Sequence, residues 1–263
     1  MDLLSIVIPS HKDVYLHKTI DSILDNAKGN IEVIPVLDGY EPAKEIVNDP
    51  RVKPVKHGKN MGMRESINTG VAAANGKYLM RTDEHCMFSH GFDVIALSDM
   101  QDNWIQVGRR YFLDPIKWEI MPEKGYIDYE KLIILRKPHK GIEKFSAVAW
   151  SRRTKERADI MVDETMAFQG SVWIMPSSWW HSVIHRLDSF GYGTHYQDTT
   201  EMLFKTWAKG GKLMLNKRWW YAHKERLFNR THQYPIEKAI PEFKYALMKH
   251  REEYEQVRSK WQI

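Results

Sequence analysis

With a single cysteine, Cys86, in 263 residues, the chain can form no intramolecular disulfide and suits a reducing compartment. It has no apolar run near the roughly 20 residues that a bilayer span requires. No basic-then-apolar leader precedes the strand-like opening Leu3 to Ile8. Together these absences predict a soluble, cytoplasmic protein without membrane insertion. There is also no internal repeat, no low-complexity tract and no linker rich in Gly or Ser, which argues against solenoids and strings of small domains.

What is present is an ordinary globular composition, 43 % apolar and 28 % charged, in a chain long enough for one full core. The formal charge of +5 is unevenly spread. From Lys205 to Ile263, 14 Lys+Arg stand against 6 Asp+Glu, whereas the first 204 residues hold 25 against 28. The basic quarter is interleaved with aromatics such as Trp219, Trp220, Phe228 and Tyr234. Such a segment can track a phosphate backbone and stack on bases, or it can be a solvated helical face beside a phosphate pocket. The sequence leaves both open.

Leu3 to Ile8, apolar but for Ser5, and Ile31 to Leu37, apolar but for Glu32, have the pattern of parallel strands buried on both faces. Between them Leu16, Ile20, Ile23 and Ala27 recur at helical spacing, and Gly29 supplies a stop. A short helix around 43–47, a short strand around 52–55 and an amphipathic helix through Met63, Ile67 and Val71 follow. Lys77 to Thr82 then reads as a strand that delivers Asp83-Glu84-His85. This alternation predicts a mostly parallel sheet flanked by helices, with a ligand site beyond the carboxyl ends of its strands, where Asp38 and Asp83 fall. From Trp104 to Asp163 the alternation fades. A helix is expected over 199–209, two short strands over 213–215 and 219–222, and a charged helix over 241–261.

An aspartate and a histidine two apart on a sharp turn can face one cation, and carboxylate plus imidazole suits a borderline divalent metal. By itself Asp83-Glu84-His85 is an equally ordinary solvated turn. Its context is more specific. Ser5-Ile6-Val7-Ile8-Pro9-Ser10, Val36-Leu37-Asp38-Gly39 and Asn60-Met61-Gly62-Met63-Arg64, ahead of Gly76-Lys77-Tyr78-Leu79, resemble glycosyltransferase family 2 and related nucleotide-sugar transferases of the GT-A fold. Asp83-Glu84-His85-Cys86 is most similar to the Asp-x-His-Cys metal motif of the polypeptide N-acetylgalactosaminyltransferases. Their Glu-Asn-x-Glu helix followed by Gly-Gly resembles Asp198-Thr199-Thr200-Glu201 followed by Gly210-Gly211, and their third metal ligand matches His223.

The resemblance implies a GT-A domain over 1–230, with a nucleotide-binding half to about residue 100 and an acceptor-side half after it. A helical extension over 231–263 follows. It implies transfer of a hexose or N-acetylhexosamine from a UDP-sugar to an acceptor hydroxyl. The divalent metal, manganese with magnesium as the alternative, would be held by Asp83, His85 and His223. Donor contacts fall on Pro9, Ser10, Asp38, Asn60, Arg64, Arg81, Asp83 and Gly170, with Arg81 equally suited to a structural ion pair. Catalytic roles fall on Asp198 and Glu201, and a lid or acceptor surface on Trp173, Lys224, Arg226 and Arg230. Matching Glu201 to the last acid of the inverting enzymes places Thr199, which is no base, in the base position. That implies retention of configuration, whereas a one-residue shift would place Asp198 there.

Departures limit what carries over. Met87 replaces a usual glutamate, Asp198 replaces another, and the lectin domain of those transferases has no counterpart, so their peptide acceptor does not transfer. A polysaccharide, a protein hydroxyl or a polyanion such as hydroxymethylated DNA all remain. Rival readings are a nucleic-acid-binding module, which leaves Asp83, His85 and His223 without a role; a phosphohydrolase, which would want more carboxylates; and an inactive nucleotide-sugar-binding protein.

Overall fold

The first strand, β1 (Leu3–Ser10), has parallel partners on both sides, which explains why its sequence is mostly apolar rather than alternating. The buried Ser5 hydroxyl is satisfied by donating to Glu32 at 2.6 Å. A computed structural model describes residues 1–225 and 234–263. After β1 come α1 (Leu16–Asn26), β2 (Asn30–Asp38), β3 (Val55–His57), α2 (Met63–Ala73), β4 (Tyr78–Thr82), β5 (Cys86–Phe88) and α3 (Phe92–Ser98). The second half holds β6 (Trp104–Asp114), with β7 (Glu119–Ile120) and β8 (Tyr126–Ile127) folded back on it. Then follow the hairpin β9 (Glu130–Lys137) and β10 (Ile142–Ala149), α4 (Ser151–Glu156), β11 (Val162–Glu164) and β12 (Val172–Pro176). It closes with α5 (Ser177–Trp179), a π-helical turn at Trp180–Ile184, α6 (Asp198–Ala208), β13 (Lys212–Lys224), α7 (Ile240–Lys249) and α8 (Arg251–Lys260).

The main sheet runs β11-β13-β6-β12-β4-β1-β2-β3. Its neighbours β4-β1-β2-β3 and β13-β6 are parallel, while β12 and the edge strand β11 run antiparallel. Helix α1 covers one face through Leu16, Ile20 and Ile23, packed with Leu4, Ile6 and Ile8. Helix α2 covers the other through Ile67 and Val71, packed with Val7, Ile34 and Val36. The α2 contact is close because position 70 is glycine: a Cβ there would lie 2.2 Å from Val7 Cγ1.

Several local expectations are revised. Residues 43–47 form no helix, and Val52 makes only an isolated bridge to Val33 ahead of β3. The stretch after Trp104 is strand-rich: β6 pairs with β13, about a hundred residues further on, while β9 and β10 pair with each other as a local hairpin whose Phe145 packs on Phe204 and Tyr254. The two expected strands after Gly211 are one strand, β13, with a bulge between Asn216 and Trp220. That bulge lays the Trp219 ring over Gly108, where a Cβ would lie 2.6 Å from it. The C-terminal helix is interrupted at His250, and α7 and α8 add Ala246, Leu247 and Tyr254 to the same core as the sheet. They are packed against it, for example through Tyr254 on Phe145 at 5.3 Å between ring centroids.

Candidate metal and donor site

Strands β1, β2 and β4 end side by side at Ser10, Asp38 and Thr82, and a cavity of about 550 Å³ opens at that edge. At the end of β4 the backbone N–H of Asp83 donates to the carbonyl of Ser171 at 2.8 Å, and the chain turns through Glu84 and His85 into β5. Strand β5 pairs antiparallel with β13 so that Cys86 stands opposite His223. Sheet pairing, not proximity in sequence, therefore delivers the third residue of the cluster. His223 Nε2 lies 3.0 Å from Asp83 Oδ2, and His85 Nε2 lies 3.9 Å from the same oxygen. One ligand atom from each of the three lies within 4.8 Å of the other two.

The donor set fits a divalent cation. His85 Nδ1 is engaged with Asp13 Oδ2 at 3.0 Å, whereas its Nε2 is buried without a hydrogen-bond partner. Burial by itself would raise the Asp83 carboxyl, but Arg81 and then the two imidazoles hold it well below the ordinary carboxylate range. Burial pulls His223 down to about 4, against the opposing effect of its hydrogen bond to the Asp83 carboxylate. The cluster thus presents a carboxylate and a neutral imidazole at neutral pH, the protonation states a metal requires. Next to it, burial and the charge of Asp13 push Glu84 up to about 8, while the Glu84 carboxyl accepts the backbone N–H of His11 at 3.1 Å.

Of the donor residues expected from sequence, Pro9, Ser10, Asp38, Asn60, Arg81 and Asp83 line the cavity. Arg81 pairs with Asp83 at 2.5 Å and keeps Nε and Nη1 buried without hydrogen-bond partners. Asp38 also organises the loop before α2: Oδ1 accepts the Met61 N–H at 2.7 Å and lies 2.8 Å from His57 Nδ1, and Oδ2 accepts the Gly62 N–H at 2.8 Å. Gly170 does not line the cavity; it abuts the start of α6, where a Cβ would lie 2.8 Å from Asp198 Oδ2. Asp198 is buried there with Oδ2 unpartnered.

Other placements are corrections. Arg64 does not reach the cavity, because its guanidinium is buried against Glu201 and the carbonyls of Asp188 and Tyr196. Glu201, expected to be catalytic, is the counter-ion of Arg64 and also pairs with Lys205 at 2.7 Å. Trp173 is fully buried and stacked on Trp180, so it belongs to the core and not to a lid or acceptor surface. Lys224 is buried beside Asp13 and contributes to neither. Arg226 and Arg230 lie outside the described residues.

The cavity residues that sequence reasoning missed include His11, Asp13, His195 and Tyr234. The His195 ring stacks on Tyr234 at 4.3 Å and 13°, building a wall from two segments that no local motif links. Only His11 and Asp13 carried a signal, their place directly after the β1 end.

With this geometry in place, the comparisons with known proteins are direct. The sequence profile of glycosyl transferase family 2 matches residues 5–160, well over half of the chain. The chain belongs to that family. An uncharacterized glycosyltransferase of Rickettsia bellii is 30 % identical over 105 residues, covering 38 % of this family 2 chain and 15 % of the relative. Another, from Haemophilus influenzae, is 30 % identical over 88 residues, covering 31 % and 27 %. The crystal structure of GalNAc-T7 with UDP, GalNAc and Mn2+ superposes with a TM-score of 0.69 at 17 % identity, over 86 % of this chain and 44 % of that one. At that identity the likeness establishes the fold, which is of the GT-A type. The chain spans less than half the length of each of these proteins. Among the described residues no helix is long and apolar enough to cross a membrane.

Proposed function

We propose that this family 2 chain is a metal-dependent glycosyltransferase that moves a hexose or N-acetylhexosamine from a UDP-sugar to an acceptor hydroxyl. The observation that carries the reading is the convergence of Asp83, His85 and His223 beside a cavity at the carboxyl ends of parallel strands. A divalent cation bound there would neutralise charge on the departing nucleoside diphosphate. Two imidazoles beside one carboxylate favour manganese over magnesium. Arg81 holds Asp83 ionised, and its unpartnered Nε and Nη1 suit it to diphosphate oxygens. Pro9, Ser10, Asp38 and Asn60 form the adjoining wall, which we assign to the nucleoside. The presence of UDP, GalNAc and Mn2+ in the GalNAc-T7 structure supports this reading.

We further propose retention of anomeric configuration, because Thr199 occupies the position where inverting relatives carry a base. The anomeric proton coupling in the product NMR spectrum decides this, and an inverted product would transfer the base role to Asp198. For the acceptor, the polyanion reading with hydroxymethylated DNA is weakened because three cations of the basic segment are engaged within the protein. Lys217 donates to the carbonyl of Arg157 at 2.6 Å, Arg218 pairs with Asp99 at 2.8 Å and Lys224 is buried. The proposal therefore stops at a hydroxyl acceptor.

Isothermal titration with UDP tests the core of the proposal, with binding expected to strengthen on adding manganese. Equal binding in the presence of a chelator would overturn the role of the metal. Absence of hydrolysis or transfer with every UDP-hexose and UDP-N-acetylhexosamine would overturn the enzymatic reading.

A further inference from the structure

We propose that Asp13 is a positioning residue for the metal site, fixing the tautomer and aim of His85, with Lys224 as its buried counter-ion. This rests on the metal-dependent reading above; it gives a role to Asp13, which no motif identified, and places Lys224 behind the metal site rather than in a lid.

The argument is one of valence. Asp13 follows β1 and lies 72 positions from His85 in the chain. Its Oδ1 accepts the backbone N–H of Tyr15 at 2.8 Å, which fixes the carboxylate plane. Its Oδ2 lies 3.0 Å from His85 Nδ1. An ionised carboxylate can only accept, so the imidazole proton sits on Nδ1 and the lone pair on Nε2. That Nε2 is the buried nitrogen without a protein partner, 3.9 Å from Asp83 Oδ2, and the His85 and His223 rings stand 4.9 Å apart at 65°. Without an acceptor at Nδ1 the proton would be free to move to Nε2 and block the coordinating lone pair.

A buried carboxylate needs compensation. The ammonium of Lys224 supplies it from 3.9 Å, with its charge 5.1 Å from the centre of the Tyr15 ring. The backbone N–H of Lys224 donates to the carbonyl of His85 at 3.1 Å. The pair Asp13–Lys224 therefore grips His85 at both its ring and its backbone, and Lys224 directly follows His223. An outer carboxylate of this kind raises the basicity of a ligating imidazole and restrains its rotation.

The test compares the full chain with Asp13→Asn, Asp13→Ala and Lys224→Met. Manganese affinity is read from the electron paramagnetic resonance of free Mn2+, and the His85 tautomer from nitrogen-15 NMR without metal. The expected result is His85 protonated on Nδ1 in the parent chain, and affinity about 10- to 100-fold weaker in Asp13→Ala. Asp13→Asn, whose carboxamide oxygen still accepts a hydrogen bond, should fall between the two, and Lys224→Met should weaken binding in the same direction. Parent-like affinity in Asp13→Ala, or a proton on His85 Nε2 in the parent, would overturn the inference alone. A parent chain that binds no manganese would overturn the metal reading and this inference with it. Should Asp13→Ala fail to fold, the partial loss in Asp13→Asn decides the matter.

Discussion

Arg64 on α2 and Glu201 on α6, 137 positions apart in the chain, meet as an ion pair with both side chains 1 % exposed. The guanidinium also donates to the carbonyls of Asp188 and Tyr196, and the Glu201 carboxylate accepts the backbone N–H of Asp188 at 3.2 Å. Two helices and the segment leading to His195 are thereby held in one arrangement, which also sets that wall of the cavity.

Removing Glu201 leaves the Arg64 guanidinium buried without its counter-ion, and removing Arg64 leaves the buried Glu201 carboxylate with Lys205 alone, at 2.7 Å. Arg64→Ala and Glu201→Ala should each lose about 3–5 kcal/mol in urea unfolding. The double replacement Arg64→Met/Glu201→Leu should be markedly less destabilised than the sum of the singles. Additive single losses would show that the two charges are not coupled.

His223→Ala should abolish manganese binding while leaving the fold intact, since the residue lies near the end of β13. Asp83→Ala, by contrast, should abolish binding and also lower stability, because the buried Arg81 loses its counter-ion. Titration calorimetry with manganese and circular dichroism read the two effects separately. Retained affinity in His223→Ala would remove β13 from the metal site.

Gly70→Ala should destabilise the protein even though alanine is the better helix former by about 1 kcal/mol. The new Cβ would meet Val7 Cγ1 at 2.2 Å and Val36 Cγ2 at 3.2 Å, which forces α2 away from the sheet. Overpacking of this kind costs about 1–3 kcal/mol, so the midpoint of thermal unfolding should fall. A raised midpoint would mean that α2 moves outward at little cost.

His250, at the junction of α7 and α8, is buried against Phe204 with ring centroids 4.4 Å apart. Burial pulls its imidazole from 6.5 down to about 4. Because the folded value lies below the unfolded one, the unfolded chain binds the proton more readily throughout that interval. Its contribution is therefore complete above pH 6.5 and is lost as pH falls toward 4, amounting to roughly 2–3 kcal/mol. His250→Gln should flatten this part of the stability profile measured by urea unfolding between pH 4 and 7. An unchanged slope would assign the acid sensitivity to other groups.

Much of the nucleotide-side half was legible in advance because its signals are local. A strand buried on both faces needs a nearly continuous apolar run, as in Leu3–Ile8 with Ser5 its one polar residue, and a helix on a sheet needs the spacing of Leu16, Ile20 and Ile23. The turn Asp83–His85 was legible for the same reason, since two ligands two residues apart need only one strand end. The β9–β10 hairpin and the bulge in β13 were not, because the residues they pack against, Phe204 and Tyr254 for Phe145 and Gly108 for Trp219, are remote in sequence.

By itself, then, the sequence determined the α/β class, the strand ends that carry Asp38 and Asp83, and the residue types of the group Asp83, His85 and His223, which could hold a metal ion. Tertiary structure alone decided which charges face the cavity and which are buried. Arg64 and Lys224 have the same chemistry in the sequence as any surface cation, but burial without solvent makes their state depend on a partner. Those partners, Glu201 and Asp13, come from distant segments that only the folded sheet brings together.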